Sequence, residues 1–195
     1  MKMKNKTMMT RLLTLIFISL AFYGCNNNGV PKPRGHFRID LPEKEYTSFD
    51  SICPFTFEYP VYSVIRKEPG IDNLCWFNIE FPSYSGKLHL SYMDISNNLK
   101  SLTDDAHKLA YKHSVKADAI EEKLWINDES NVYGIIYLIS GNAASSVQFF
   151  VTDSISHYLR GSLYFDTQPD KDSLAPVIDF FREDVVHLIE TLKWQ

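Results

Sequence analysis

Short runs in which apolar and polar side chains alternate dominate the chain between residues 53 and 92. In the first run Phe55, Phe57 and Tyr59 alternate with smaller or polar residues, and turn-forming Pro-Gly and Ser-Gly pairs separate the later runs. A period of two places every second side chain on one face of an extended chain, which is typical of a half-buried strand. The pattern therefore predicts strands at residues 53–60, 74–82 and 88–92.

The apolar spacing becomes helical near residue 101 and again near residue 173. It predicts helices at about 101–116 and 173–192, with Glu183 and Asp184 on the solvent-facing side of the second helix. Four alternating runs between them predict strands at 121–127, 131–140, 145–152 and 156–165. The resulting order, β-β-β-α-β-β-β-β-α, predicts an α+β fold in which a single, mostly antiparallel sheet of about seven strands is covered by two helices.

The amino terminus carries the pattern of an export signal. Residues 1–24 contain four basic residues and no acidic one, and the apolar run LLTLIFISLAF is short for a transmembrane helix. Gly24 followed by Cys25 is typical of a lipoprotein cleavage site, although Phe22 and Tyr23 depart from its usual residues. We predict a signal peptide at 1–24 and a lipid on Cys25, the alternatives being an ordinary signal peptide or a membrane anchor.

Residues 25–44 form a proline-rich, basic segment that is expected to tether a single α+β domain at 45–195. Four side chains alternate along this tether, so an extended chain presents them on one side: Lys32, Arg34, His36 and Arg38. This basic strip is interpreted either as a solvated tether or as a docking strip for an acidic partner, a headgroup or a cell-wall carboxylate. No acidic stretch follows Cys25, which favours the periplasmic face of the outer membrane.

Two cysteines, Cys53 and Cys75, remain once Cys25 is assigned to the lipid. An even pair in an exported chain indicates a disulfide, and the two residues fall in neighbouring predicted strands. The alternative is two buried free thiols. Because no histidines stand at ligand spacing from them, we predict no metal site.

The charge balance excludes some partners. Without residues 1–24 the chain has 16 basic and 24 acidic residues, a formal net charge of −8. An acidic surface binds neither nucleic acid nor an anionic membrane well, so the lipid alone is expected to provide membrane attachment. With 45% apolar and 14% aromatic residues, the composition is that of a folded domain with a real core.

The sequence contains no recognisable catalytic motif. It lacks G-x-S-x-G, H-E-x-x-H, a Walker loop and G-x-G-x-x-G. Asp153, His157 and Arg160 surround one predicted hairpin and are the grouping that best fits an enzymatic hypothesis. Taken together, the residues predict a protein that is not an enzyme and uses no cofactor.

Several long, irregular strings span essentially the whole chain after Cys25. They are PKPRGHFRIDLPEKEY, CPFTFEYP, CWFNIEFPSYSGKLHLSY, GNAASSVQFFVTDSISHYLRGSLYF and DSLAPVIDFFREDVVHLIETLKW. In this order they resemble the GldD family of gliding-motility lipoproteins of Bacteroidetes. The resemblance implies a non-enzymatic component of the gliding-motility and type IX secretion machinery that docks with other envelope proteins, and it implies no catalytic residues.

A periplasmic ligand-binding lipoprotein is the alternative. Exposed aromatic rings stack on sugars, so a peptidoglycan or glycan ligand would use residues such as Tyr84, Trp125 or Tyr158. The two hypotheses differ in what the surface is expected to present, a docking surface in the first and exposed aromatic rings in the second.

Overall fold

The computed structural model describes residues 39–68, 70–166 and 171–195, and of residues 171–174 only the backbone. Cys25 and the basic strip therefore lie outside the described residues. In chain order the elements are β1 (Tyr46–Phe49), β2 (Phe55–Pro60), β3 (Val64–Lys67), β4 (Trp76–Phe81), β5 (Gly86–Asp94), α1 (Leu99–Tyr111), β6 (Ala117–Asn127), β7 (Val132–Gly141), β8 (Ser145–Thr152), β9 (His157–Phe165), α2 (Lys171–Thr191) and β10 (Lys193–Trp194). Short 3-10 turns follow β4 at Pro82–Tyr84 and α1 at Lys112–Val115.

The described strands form two sheets. Seven make an antiparallel sheet in the order β3-β4-β5-β9-β8-β7-β6, and β1, β2 and β10 make a three-stranded sheet with β2 in its centre. The predicted α+β fold and the predicted number of about seven strands in one antiparallel sheet agree with the structure, but the prediction of a single sheet is wrong, since the predicted strand at 53–60 is β2 of the smaller sheet and β3 takes its place. Thr56 of β2 pairs with Lys193 of β10, and local alternation does not encode a contact between such distant parts of the chain.

One face of the seven-stranded sheet, here called the α2 face, holds the main core. Every second side chain of the inner strands lies on it, and the apolar side of α2 packs against them through residues such as Phe181, Val185 and Leu188, all at most 1% exposed. The rings of Phe81 and Phe181 lie 4.3 Å apart, centre to centre. Burying one such side chain contributes about 1.5–3 kcal/mol, so this face provides most of the stability.

The opposite face, here called the α1 face, is covered only in part. Ala106 and Ala110 of α1 pack on Tyr137, Phe150 and Tyr158 of the three strands below them. Because β8 lies between two helices, all eight of its residues are buried. The part of this face that belongs to β3, β4 and β5 carries mostly polar side chains, among them Arg66, Asn78 and His89.

The helix boundaries differ slightly from the predicted ones. α1 begins at Leu99, two residues before the predicted start, and α2 begins at Lys171, so that Pro176 lies inside the helix. The side-chain oxygen of Asn98 accepts a hydrogen bond from the Ser96 N–H at 2.7 Å rather than capping α1. The turn at Asn98 therefore fixes the start of α1, and the spacing of apolar residues does not reveal that turn.

Candidate functional site

The two predicted partner cysteines meet where the two sheets approach each other. Cys53, just before β2, and Cys75, just before β4, form a disulfide with their Cα atoms 5.6 Å apart. Both are buried, with exposed fractions of 2% and 9%. The bond therefore links the three-stranded sheet to the seven-stranded sheet.

The hairpin grouping of Asp153, His157 and Arg160 does not converge on one point. Asp153 Oδ1 accepts hydrogen bonds from three backbone N–H groups, those of residues 155, 156 and 157, at 2.8–2.9 Å. Although burial opposes its ionisation, these donors lower the pKa of Asp153. His157 and Arg160 are an odd number of residues apart on β9, so they lie on opposite faces of the sheet. Asp153 thus stabilises a turn, while His157 and Arg160 lie on two different surfaces of the sheet.

The aromatic residues considered for glycan stacking are largely occupied by packing. Tyr158 is fully buried, and its hydroxyl donates to the Leu102 carbonyl oxygen at 3.0 Å. Tyr84 packs against the core and donates to the Asp40 carbonyl oxygen at 2.9 Å. Trp125 is partly buried against the same core. Tyr158 therefore presents no ring face to a sugar.

A buried carboxylate holds the start of the domain against α2. Asp184 is 3% exposed, and its Oδ1 accepts hydrogen bonds from Lys44 Nζ at 2.6 Å and Tyr46 Oη at 3.0 Å. Its Oδ2 accepts one from Tyr62 Oη at 2.7 Å. Lys44 also donates to the Phe180 carbonyl oxygen at 2.6 Å. We call Lys44, Tyr46, Tyr62 and Asp184 the Asp184 anchor.

The two tyrosines of the Asp184 anchor stay protonated. Burial and the adjacent Asp184 carboxylate raise the pKa of Tyr46 and of Tyr62 far above the ordinary tyrosine value, so both hydroxyls remain donors. The expectation that Asp184 faces solvent is wrong. Residue 184 stands three positions after Phe181 and four before Leu188, at the spacing of the inward side of the helix, and this spacing is the sequence feature that reveals its burial.

The Asp184 anchor also fixes where the described domain begins. Ile39 packs against the main core, so the last residues of the predicted tether belong to the folded domain. Fourteen peptide links separate Cys25 from Ile39. At full extension they span at most about 50 Å, which limits the distance between a lipid on Cys25 and the domain.

One long edge strand is available for pairing. The 11 residues of β6 pair with β7 on one side, and in the described part of the chain no strand pairs with its other side. None of these residues is fully buried. Such an edge presents backbone N–H and C=O groups to a strand from another molecule. The opposite edge, β3, has only four residues and is the poorer template.

Apolar side chains extend along this edge. Leu124 and Ile126 are 71% and 62% exposed and lie in register with Ile135 and Tyr133 of β7. Ile135 in turn pairs with the buried Phe150 of β8, so an apolar stripe runs from the core to the edge. Two neighbouring exposed aliphatic residues on an open strand are unusual unless they are covered by a partner.

The same edge is acidic. β6 contains three carboxylate residues, Asp118, Glu121 and Glu122, against the single cation Lys123. Glu122 is held toward α1, because its Oε1 accepts a hydrogen bond from Tyr111 Oη at 2.9 Å. A partner strand with basic side chains therefore suits this edge better than an acidic one. We call β6 with Leu124, Ile126 and these carboxylates the β6 edge.

No membrane-spanning or metal-binding feature is present in the ranges that the structure describes. Neither α1 nor α2 has the length and apolar character needed to cross a membrane. No three His, Cys, Asp or Glu side chains of those ranges are grouped so that they could hold a metal ion.

The fold defines a class, an α+β domain in which an antiparallel sheet carries a helix on each face. The sequence predicts an export leader and a lipidation cysteine before this domain, outside the described residues. The family model for the gliding motility lipoprotein GldD matches residues 26–194. The chain belongs to this family, as its sequence predicts, and is therefore a lipoprotein of the cell envelope.

The solved structures that are similar to this chain include one of a cyanobacterial protein. It is the solution structure of cyanobacterial PsbP (CyanoP) from Synechocystis sp. PCC 6803, with 11% sequence identity and a TM-score of 0.49. The similarity covers 82% of this chain and 98% of that chain. No curated protein matches this chain.

Proposed function

We propose that this chain is a non-enzymatic docking lipoprotein of the gliding-motility and type IX secretion machinery of Bacteroidetes. A lipid on Cys25 holds it at the periplasmic face of the outer membrane. The family supports the role in motility. The observation that supports docking is the β6 edge, an open strand of 11 residues with exposed apolar side chains.

The proposed docking mode is strand addition. A partner strand that pairs with β6 satisfies its outward backbone groups, which provides affinity that does not depend on sequence. Contacts with Leu124 and Ile126 and complementary charge opposite Glu121 and Glu122 then select the partner. Another envelope protein of the machinery with an extended, basic segment is the expected occupant.

The basic strip gives a second contact in this proposal. Lys32, Arg34, His36 and Arg38 precede the folded domain directly, so they act within reach of the membrane and of the docked partner. Replacing Arg34 and Arg38 by Glu is expected to leave the domain folded but to impair spreading or secretion. Normal spreading at normal protein level would show that the strip is only a solvated tether.

The central test replaces the apolar residues of the β6 edge. In a deletion strain of the native host, Leu124→Lys with Ile126→Lys is expected to reduce both type IX cargo release and spreading on agar. Both positions are more than half exposed, so the loss follows from the edge rather than from unfolding. Membrane pull-down in mild detergent should recover a secretion or motility protein with the wild-type chain but not with this variant.

The matched control carries the same charge change elsewhere. Ile52→Lys with Val115→Lys replaces two other exposed aliphatic residues, 79% and 89% exposed, both outside β6. Normal cargo release and spreading with this control, at equal protein level, assign the defect to the β6 edge. If the β6 variant also releases cargo and spreads normally, docking through this edge is wrong.

A glycan-binding role is the second candidate, supported by one groove. Trp194 and His157 stack with ring centres 5.2 Å apart and line a groove of about 540 Å³ together with Asn131, Asp153 and Glu129. An aromatic pair beside polar side chains suits a sugar. Retention of the wild-type chain, but not of Trp194→Ala, on purified peptidoglycan sacculi would support this role.

A further inference from the structure

A polar row crosses the α1 face of the seven-stranded sheet. Asn78, His89, Ser162 and Gln148 are paired in register across β4, β5, β9 and β8, and Arg160 lies on the same face two residues from Ser162. The His89 side chain is 43% exposed, whereas Asn78, Ser162 and Gln148 are at most 5% exposed. The row is therefore open to solvent at His89 on β5 and buried on both sides of it.

Arg160 is a half-buried cation without an anion. Its Nη2 donates to Gln148 Oε1 and to Ser162 Oγ, both at 3.2 Å. Among the described residues, no carboxylate oxygen lies within 4 Å of its guanidinium group, whereas Arg66 on β3 pairs with Glu80 at 2.9 Å. Burial lowers the pKa of Arg160, but an arginine stays charged in proteins. A charge in this position is costly unless an anion accompanies it.

Unused hydrogen-bond groups lie beside this cation. Gln148 Nε2 is buried and has no partner, and neither has Ser146 Oγ, two residues away on the same strand. Because Gln148 Oε1 accepts from Arg160, the orientation of the amide is fixed and its N–H groups are the unpaired ones. A buried polar group without a partner is rare and indicates a missing ligand or water.

Two imidazoles flank the row. The ring of Tyr164 contacts that of His89 at 5.6 Å and that of His113 at 6.2 Å between ring centres. Burial lowers the pKa of both histidines, so both are neutral near pH 7. They act there as hydrogen-bonding groups and leave Arg160 as the charge without a counterion.

Two glutamates also lie at or near the row. Glu68 Oε2 accepts a hydrogen bond from Asn78 Nδ2 and lies 3.6 Å from His89 Nδ1. Lys87 Nζ lies 3.4 Å from Glu80 Oε1. Arg160 is thus the cation without an anion, and the negative charge of Glu68 at the His89 end of the row disfavours a doubly charged phosphate more than a singly charged group.

We propose that the row around Arg160 is a binding site for a carboxylate group. The Nη1 and Nε groups of Arg160, which take no part in the hydrogen bonds to Gln148 and Ser162, donate to the carboxylate, and the Gln148 amide supplies a further donor. The ligand enters beside His89, where the row is open. This site is independent of the β6 edge and adds a small-ligand function to the docking role.

Acetate is the probe for this site. Saturation-transfer difference NMR on the full mature chain in detergent should show saturable acetate binding at constant ionic strength. Arg160→Gln is expected to weaken this binding by at least about tenfold, because a charge-assisted hydrogen bond contributes about 1.5–3 kcal/mol. Arg66→Gln, which removes an arginine of the same face that already has an anion, should change it by less than about twofold.

Other outcomes would overturn the proposal. Absence of saturable acetate binding, or equal binding by Arg160→Gln, means that the row is only hydrated. If phosphate displaces bound acetate at a lower concentration than competing acetate does, the site prefers phosphate. If Arg160→Gln does not fold, Gln148→Met, an apolar replacement of similar length, should weaken binding several-fold, and unchanged binding by this variant refutes the site.

Discussion

Replacing Asp184 by Ala is expected to lower the free energy of unfolding by about 3 kcal/mol. The substitution leaves the Lys44 ammonium group and the hydroxyls of Tyr46 and Tyr62 without their shared acceptor in a partly buried site. Removing one partner of a buried ion pair costs roughly 3–5 kcal/mol. We expect the lower end of this range because Lys44 is 25% exposed and keeps its hydrogen bond to the Phe180 carbonyl oxygen.

The assay is urea unfolding followed by tryptophan fluorescence, on a soluble chain that begins at residue 26. With an m value of about 2 kcal/mol/M, the loss moves the unfolding midpoint down by about 1.5 M urea. A double-mutant cycle with Lys44→Met separates the ion pair from the tyrosine hydrogen bonds. The coupling energy in that cycle should exceed about 1 kcal/mol.

The neighbouring carboxylate provides the control. Glu183 Oε2 lies 3.9 Å from the same Lys44 Nζ, but its side chain is 73% exposed. Glu183→Gln should therefore change the free energy of unfolding by less than about 0.5 kcal/mol. If Asp184→Ala has no larger effect than Glu183→Gln, the Asp184 anchor does not stabilise the domain and our reasoning is refuted.

Three further predictions concern the rest of the fold. Replacing Cys53 and Cys75 by Ala should cost about 3 kcal/mol in the same urea titration, because their bond closes a loop with a sequence separation of 22; an unchanged midpoint would contradict this. Gly134→Ala should cost about 3 kcal/mol or prevent folding, because a Cβ atom there would lie 1.9 Å from the Phe150 carbonyl oxygen; folding with wild-type stability would show that the strands can separate. Burial, assisted by the charge of Arg160, lowers the pKa of His113 in the folded chain, so the unfolded chain binds the proton first and stability falls as the pH drops below 6.5. His113→Gln should reduce that fall, as measured by unfolding midpoints between pH 7 and pH 5.

In the proposed function, the Asp184 anchor and the β6 edge have different roles. Lys44 and Asp184 fix the point at which the membrane-linked segment enters the fold. Leu124 and Ile126 belong to a strand that is the last in its sheet. The disulfide between Cys53 and Cys75 links the two sheets.

Local pattern predicted the long strands well. The predicted strand at 145–152 coincides with β8, and the one at 156–165 differs from β9 by a single residue. Both have enough alternating side chains to reveal their period. β1, β3 and β10 were not predicted, because strands of two to four residues carry too little periodicity to stand out.

The sequence by itself determined the family, the class of fold and the cysteine pair, because each depends on residues close together in the chain or on long matching strings. Only the tertiary structure decided that β2 leaves the main sheet to pair with β10, that Asp184 is buried, and that Arg160 lies beside Gln148 without an anion. These features depend on contacts between residues far apart in sequence. Such contacts are set by the packing of whole helices and strands, and the local spacing of apolar residues does not predict them.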